Sequence, residues 1–217
     1  MRWVRNIVSH SKGGHIQPVY GISLEEDITE TIATALPGYR DMGPVRVGNQ
    51  AAEHIQHDVY GQIVLGVAQS FFDKRLLSNP GVAEFRALEP VGERAYAMHD
   101  QPDAGIWEFR TIAQVHTSSA IMCWAACDRL SKIAAHLDLH ERATYWEERA
   151  ALIHSKLFKD ASNSEPNAST EAFGGAPLDP SVFFMAKIAF LDHIATPYTR
   201  TRPATDPAPR HRTHGSR

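Results

Sequence analysis

The chain has 217 residues, 43% apolar and 22% charged, the balance of a soluble globular protein of one domain or two small ones, not of a fibrous or wholly disordered chain. With 22 Lys and Arg against 25 Asp and Glu the formal charge is -3, so no overall field recruits nucleic acid or an anionic membrane. No apolar run approaches the ~20 residues that span a bilayer, and Met1-Arg2-Trp3-Val4-Arg5 has no secretion-signal core, so a cytoplasmic location is expected.

Trp3, Ile7 and Val8 have helical spacing with no capping residue before them, so the chain opens inside a helix and reads as a beginning cut from something longer. Ser11 to Gly14 end that helix. His15 to Ile22, H-I-Q-P-V-Y-G-I, is punctuated by Pro and Gly as an extended or looped segment. Glu25, Glu26, Asp27 and Glu30 are expected to form a solvated acidic face. Pro37 to Asn49 is dense in turn formers and carries Arg40, Arg46 and Asn49, the kind of polar group that loops present for binding on a rigid frame. From Gln50 to about Leu77, Ile55, Val59, Ile63, Val67 and Phe71 step by four, which predicts one long amphipathic helix with Asn49 as its N-cap. His54, His57 and Asp58 share this segment without the His pair and intervening Glu of a zincin helix, so no metal site is assigned to them.

Pro80 to His99 is a less regular helical stretch interrupted by Pro90. Ser118 to Leu137 keeps the helical period through Ile121, Trp124, Cys127, Leu130, Ile133 and Ala134, and Glu141 to Phe158 keeps it through Ala143, Trp146, Ala150, Ile153 and Leu157. The joint around Asp138 to His140 is short, so these two helices form an antiparallel pair. Cys123 and Cys127 fall on one helical face and read as small buried apolar residues, not as a disulfide framework. Asn167-Ala168-Ser169 matches a glycosylation sequon but reads as loop, and Pro180 to Leu191 is a further apolar block. Asp192 to Arg217, rich in Pro, Thr, Arg and His, is expected to be a disordered basic tail after a domain covering residues 1–191. No short internal repeat is visible, and the expected class is all-α, with strands as minor elements.

Asp103 to Arg110, D-A-G-I-W-E-F-R, places Glu108 directly beside Trp107 in an apolar run. A carboxyl held against an indole and away from water is harder to ionise and remains a proton donor, as a general acid must. The same pair also suits a strand or loop end whose Trp fills the core while Glu108 points into solvent.

Five segments together resemble glycoside hydrolase family 15, the glucoamylase and trehalase group. They are His15 to Ile22, G-Y-R-D-M-G-P-V-R-V-G-N (Gly38 to Asn49), H-D-V-Y-G-Q (His57 to Gln62), P-D-A-G-I-W-E-F-R (Pro102 to Arg110) and M-C-W-A-A-C-D-R (Met122 to Arg129), in the family's order and approximate spacing across Met1 to Leu191. The resemblance implies an (α/α)6 barrel with its sugar pocket built from loops at one end. It implies inverting hydrolysis of terminal α-glucosidic bonds in oligosaccharides or of trehalose, with Glu108 as general acid, Trp107 packing against it and the sugar, and Arg46 lining the pocket. Arg40, Asn49 and Tyr20 are added as candidate substrate-binding residues, and no cofactor is assigned.

Inversion also needs a second carboxylate across the sugar, at ~6.5 to 9.5 Å from the first, to activate water. In the family that base lies beyond the residue matching Leu191, and the Trp-Arg-Asp loop that grips the non-reducing sugar has no match here. Ser118 and Ala120 stand where many members have Tyr and a basic residue. The expectation is therefore an incomplete barrel, the middle of a hydrolase with an internal start and a frameshift-like tail, inactive alone. Three alternatives are a helical scaffold protein, a carbohydrate-binding remnant without catalysis, and a metal-dependent hydrolase using His54, His57 and Asp58.

Overall fold

The computed structural model describes residues 2–11, 14–76, 80–108 and 113–160. Within them the chain forms five α-helices: α1 (Arg2–Ser11), α2 (Asp58–Phe72), α3 (Val82–Met98), α4 (Thr117–His136) and α5 (His140–Asp160). A single short antiparallel ladder among the described residues pairs β1 (Thr31–Ile32) with β2 (Arg46–Val47), Thr31 opposite Val47 and Ile32 opposite Arg46. The class is thus all-α, as the periodicity predicts. The sequon, the Pro180 to Leu191 block, the tail, the boundary after Leu191 and Phe109-Arg110 of the motif lie outside the described residues.

α4 is the central helix. Residues Thr117 to Cys127 are buried all round, and Leu130, Ile133 and Ala134 continue the buried stripe. It reverses through Leu137 to Leu139 into α5, whose Trp146, Ala150, Ile153 and Leu157 face it at helical spacing. Ser131 Oγ donates to the Ala143 carbonyl at 3.0 Å across this antiparallel hairpin. Gly61 near the start of α2 lies against Met122 near the start of α4, and Phe72 at the end of α2 meets His136 at the end of α4, with ring centroids 5.2 Å apart. These two helices therefore run parallel. Glu89 of α3 likewise pairs with Arg142 of α5, and Asp100 just after α3 with Lys156, so α3 and α5 are parallel to each other and antiparallel to the first pair. Two helical hairpins stand side by side, each of α2 and α4 backed by its own partner.

An ionic network joins the α3 and α5 layer. Glu89 accepts from Arg142 Nε at 2.5 Å, Trp146 Nε1 at 3.1 Å and Arg86 Nη1 at 2.8 Å. Burial would raise the Glu89 carboxyl, but these three donors together hold it below its ordinary value. Tyr145 donates to Glu93, and Arg149 stacks 3.4 Å over the Tyr145 ring.

The helix expected from Gln50 to about Leu77 is shorter at both ends, since α2 stops at Phe72, and the expected interruption at Pro90 is not found. Gln50–Glu53 is a 3-10 turn, and α2 begins only at Asp58. Asn49 does cap, accepting from the Ala51 N–H at 3.0 Å, but it caps the short turn. The break has a non-local cause: the Ile55 carbonyl accepts from Ala104 N–H at 2.9 Å, and His57 N–H donates to Asp103 at 2.7 Å, so these backbone groups serve another loop. Pro90, for its part, does not interrupt α3. Phe85, Leu88, Val91 and Ala95 bury a stripe around it, which offsets the ~3 kcal/mol that an interior proline costs.

Cys123 and Cys127 are free and fully buried, as expected for small apolar packers. Burial pushes the Cys127 thiol up to about 12 and the Cys123 thiol well up, so neither is a nucleophile. Among the described residues no helix is long and apolar enough to cross a membrane.

Candidate active site

Because α2 and α4 are parallel, both begin at the same end of the bundle, where the residues before α2 meet the residues after α3 through the Ala104–Ile55 and His57–Asp103 hydrogen bonds. The positive ends of two helix dipoles meet there. After α3 the chain runs into an isolated antiparallel bridge in which Asp103 and Gln114 exchange backbone hydrogen bonds at 3.0 and 3.2 Å. The residues that leave the bridge after Asp103 carry the candidate acid. Ala104 N–H donates to Ile55, and Glu108 N–H closes a turn onto the Gly105 carbonyl at 3.1 Å.

Gly105 is required by both conformation and space. Its φ is +66°, and a Cβ there would lie 2.7 Å from the His116 imidazole, so the turn rests directly on the ring that precedes α4. Glu108 itself has φ 54°, a left-handed conformation that costs a non-glycine residue about 1–2 kcal/mol. The local structure presents Glu108 outward: its side chain is exposed and Trp107 is 56% exposed. This corrects the expectation of a carboxyl shielded by an indole. The turn points both residues away from the core, because the inward positions belong to Asp103 and Gly105, both buried.

Beneath the turn lies a buried polar cluster that the sequence does not assign to the site. Asp103 is 1% exposed; Oδ2 accepts from His57 N–H and Ser119 Oγ, each at 2.7 Å, and Oδ1 accepts from Gly105 N–H at 3.2 Å. Burial and the Asp103 carboxylate push Asp58 from its ordinary 3.8 up to about 6. His57 is lowered by burial and Arg94 against the opposing pull of Asp103, and His15 is lowered by burial, Arg94 and His57. These histidines thus lean toward the neutral state. Among the described residues no group of three or more His, Cys, Asp or Glu is arranged to hold a metal ion.

The other candidate residues use their polar groups locally. Arg46, 50% exposed on its side chain, pairs with Glu30 at 2.6 Å. Arg40 stands 5.2 Å over the Tyr39 ring. Tyr20 accepts from Gln17 N–H at 3.0 Å and lines a groove of about 290 Å³ with Trp3, Ile7, Val59 and Ile63 between α1 and α2. Neither arginine forms a hydrogen bond or ion pair with Glu108 among the described residues. The chain after Asn49 meets the residues before Glu108 through the Ala104 to Ile55 and His57 to Asp103 hydrogen bonds.

Among the described residues, paired antiparallel helices with the candidate acid at one end of the bundle define an all-α helical-hairpin domain. The family model described as Glycosyl hydrolases family 15 matches residues 1–211, and the chain belongs to that family. It is similar to a trehalase of Mycobacterium tuberculosis (strain ATCC 25618 / H37Rv), with 33% identity over 81% of this chain and 25% of the relative. A trehalase of Mycolicibacterium smegmatis is 31% identical over 81% of this chain and 26% of its own length. Trehalase 2 of Sulfolobus acidocaldarius is 24% identical over 92% and 34%. The chain spans about a quarter to a third of the curated relatives it matches. No solved structure matches it.

Proposed function

We propose that this chain carries the acid half of an inverting glycoside hydrolase acting on an α-glucosidic bond, with trehalose as the first substrate to test. The observation that carries it is the Trp107-Glu108 turn, a strained and exposed carboxylate set beside an exposed indole at the end of the bundle where α2 and α4 begin. The named trehalase relatives support the choice of sugar. Glu108 protonates the leaving glycosidic oxygen, Trp107 offers its face to a sugar ring, and Arg46, Arg40, Asn49 and Tyr20 bound the approach from the neighbouring segment. The base that activates water is assigned to no described residue. One carboxylate without its partner loses most of the acid-base chemistry, so the chain alone is expected to release little or no glucose from trehalose or maltose.

The decisive experiment grafts the matched segment of this chain into the mycobacterial trehalase and compares Glu108→Gln with the unsubstituted chimera. The variant is expected to fall by about 10² to 10⁴ in turnover, because it keeps shape and loses the proton. A chimera that hydrolyses trehalose equally well with Gln at this position removes Glu108 from the chemistry. The exposure of Trp107 and Glu108 favours one second reading, a carbohydrate-binding surface without catalysis. It gains if trehalose shifts the Trp107 signal and the Gln variant turns over normally.

A further inference from the structure

We propose that Asp103 is a positioning residue: its buried carboxylate locks the Gly105–Glu108 turn to the first residues of α2 and α4 and so sets where the Glu108 carboxyl is presented. The inference rests on Glu108 being the acid of the proposed reaction, and adds the device that holds it.

Asp103 reaches three elements with two oxygens. Through His57 N–H it takes an amide at the start of α2, where the His57 side chain provides no cap; through Ser119 Oγ it takes a hydroxyl from the first turn of α4; through Gly105 N–H it takes the base of the turn. Sequence separations of 46 and 16 residues to the first two show that the clamp is tertiary. A carboxylate between two helix N-termini is favoured by both dipoles. Its backbone closes the bridge to Gln114, so side chain and main chain hold the loop from both sides. Gly105 then bears on the His116 ring, and from there the turn closes in one hydrogen bond from Glu108 N–H to Gly105 O.

Asp103→Asn has nearly the same shape but must turn an NH2 group toward either the Gly105 amide or the His57 and Ser119 donors, and so opposes donor to donor. The test is on the full chain and needs no turnover. Amide exchange and the indole N–H resonances of the four tryptophans are measured in wild type, Asp103→Asn and Ser119→Ala, with Trp107 assigned through Trp107→Phe. Asp103→Asn is expected to speed exchange of the Gly105 and His57 amides by at least about ten-fold and to move or broaden Trp107, leaving Trp124 and Trp146 in place. Ser119→Ala, which removes one donor only, is expected to give the same pattern more weakly, and stands in if the Asn variant does not fold. Unchanged Gly105 exchange and Trp107 resonance in the variants overturn the inference. So does an equal loss of all four indole signals in Ser119→Ala, which makes the cluster general core. If the loop loosens as expected while Glu108→Gln leaves the chimera active, the clamp stands and the assignment of the acid falls.

Discussion

Glycines 61 and 66 lie five residues apart on α2, and the structure assigns opposite signs to the same substitution at the two. A Cβ on Gly61 would sit 2.2 Å from the Met122 carbonyl oxygen and 2.6 Å from its carbon. Both are backbone atoms of α4, so no rotamer change relieves the contact; α2 must move away by about 1 Å to reach ordinary van der Waals separation. That opens the α2–α4 contact, on the face where Val64, Val67, Ala68 and Phe71 are also buried. Overpacking of this kind costs about 1–3 kcal/mol, and the gain of about 1 kcal/mol from replacing Gly by Ala in a helix offsets only part of it. Gly66 has nothing within 4 Å of its added Cβ, so Gly66→Ala keeps the helix gain. Urea unfolding of the two variants should therefore show Gly61→Ala less stable than wild type by about 1–2 kcal/mol and Gly66→Ala more stable by about 0.5–1 kcal/mol. Equal stability of the two variants would refute the close parallel approach of α2 and α4.

Asp58→Asn should stabilise the chain increasingly with pH. The folded Asp58 carboxyl titrates near about 6 against 3.8 in the unfolded chain, so between those values the folded state binds more protons and wild-type stability falls as pH rises. The gap corresponds to roughly 3 kcal/mol, nearly all of it developed by pH 7.5, and a stability difference that stays constant from pH 4 to pH 8 would contradict it. Glu89→Ala should lower stability by about 2–4 kcal/mol in urea unfolding, because Trp146 Nε1 and Arg142 lose a buried acceptor; an effect below about 0.5 kcal/mol would assign the network to solvent-screened pairing.

The helices whose apolar positions answer to one partner face were legible in the sequence almost to the residue. α4 and α5 begin and end within about two residues of their periodic limits, since Ile121, Trp124, Leu130 and Trp146, Ile153, Leu157 report burial that the helix itself organises. The start of α2 was not. Ile55 continues the step of four backward from Val59, but its carbonyl is bound by Ala104 and it is exposed, while the stripe that is buried runs through Tyr60, Val64, Val67 and Phe71. A hydrogen bond to a residue so far along the chain leaves no local signature. Pro90 is the converse case, a strong local signal overridden by the packing of Phe85, Leu88 and Val91.

The candidate site divides along the same line. The D-A-G-I-W-E segment is readable as a motif, yet adjacency of Trp107 and Glu108 does not make one shield the other, because the chain direction at that turn is decided by Gly105 against His116 and by Asp103 below it. Seen this way the exposed Glu108 is coherent with a glycosidase acid. In the proposed reaction the dry surroundings that acid chemistry requires would come from a sugar laid over Trp107, and the protein's own contribution would be to hold the backbone so that the carboxyl meets the glycosidic oxygen as water leaves. A left-handed φ at Glu108 is then the conformational cost of presenting that carboxyl outward, sustained by an anchor buried between two helix ends.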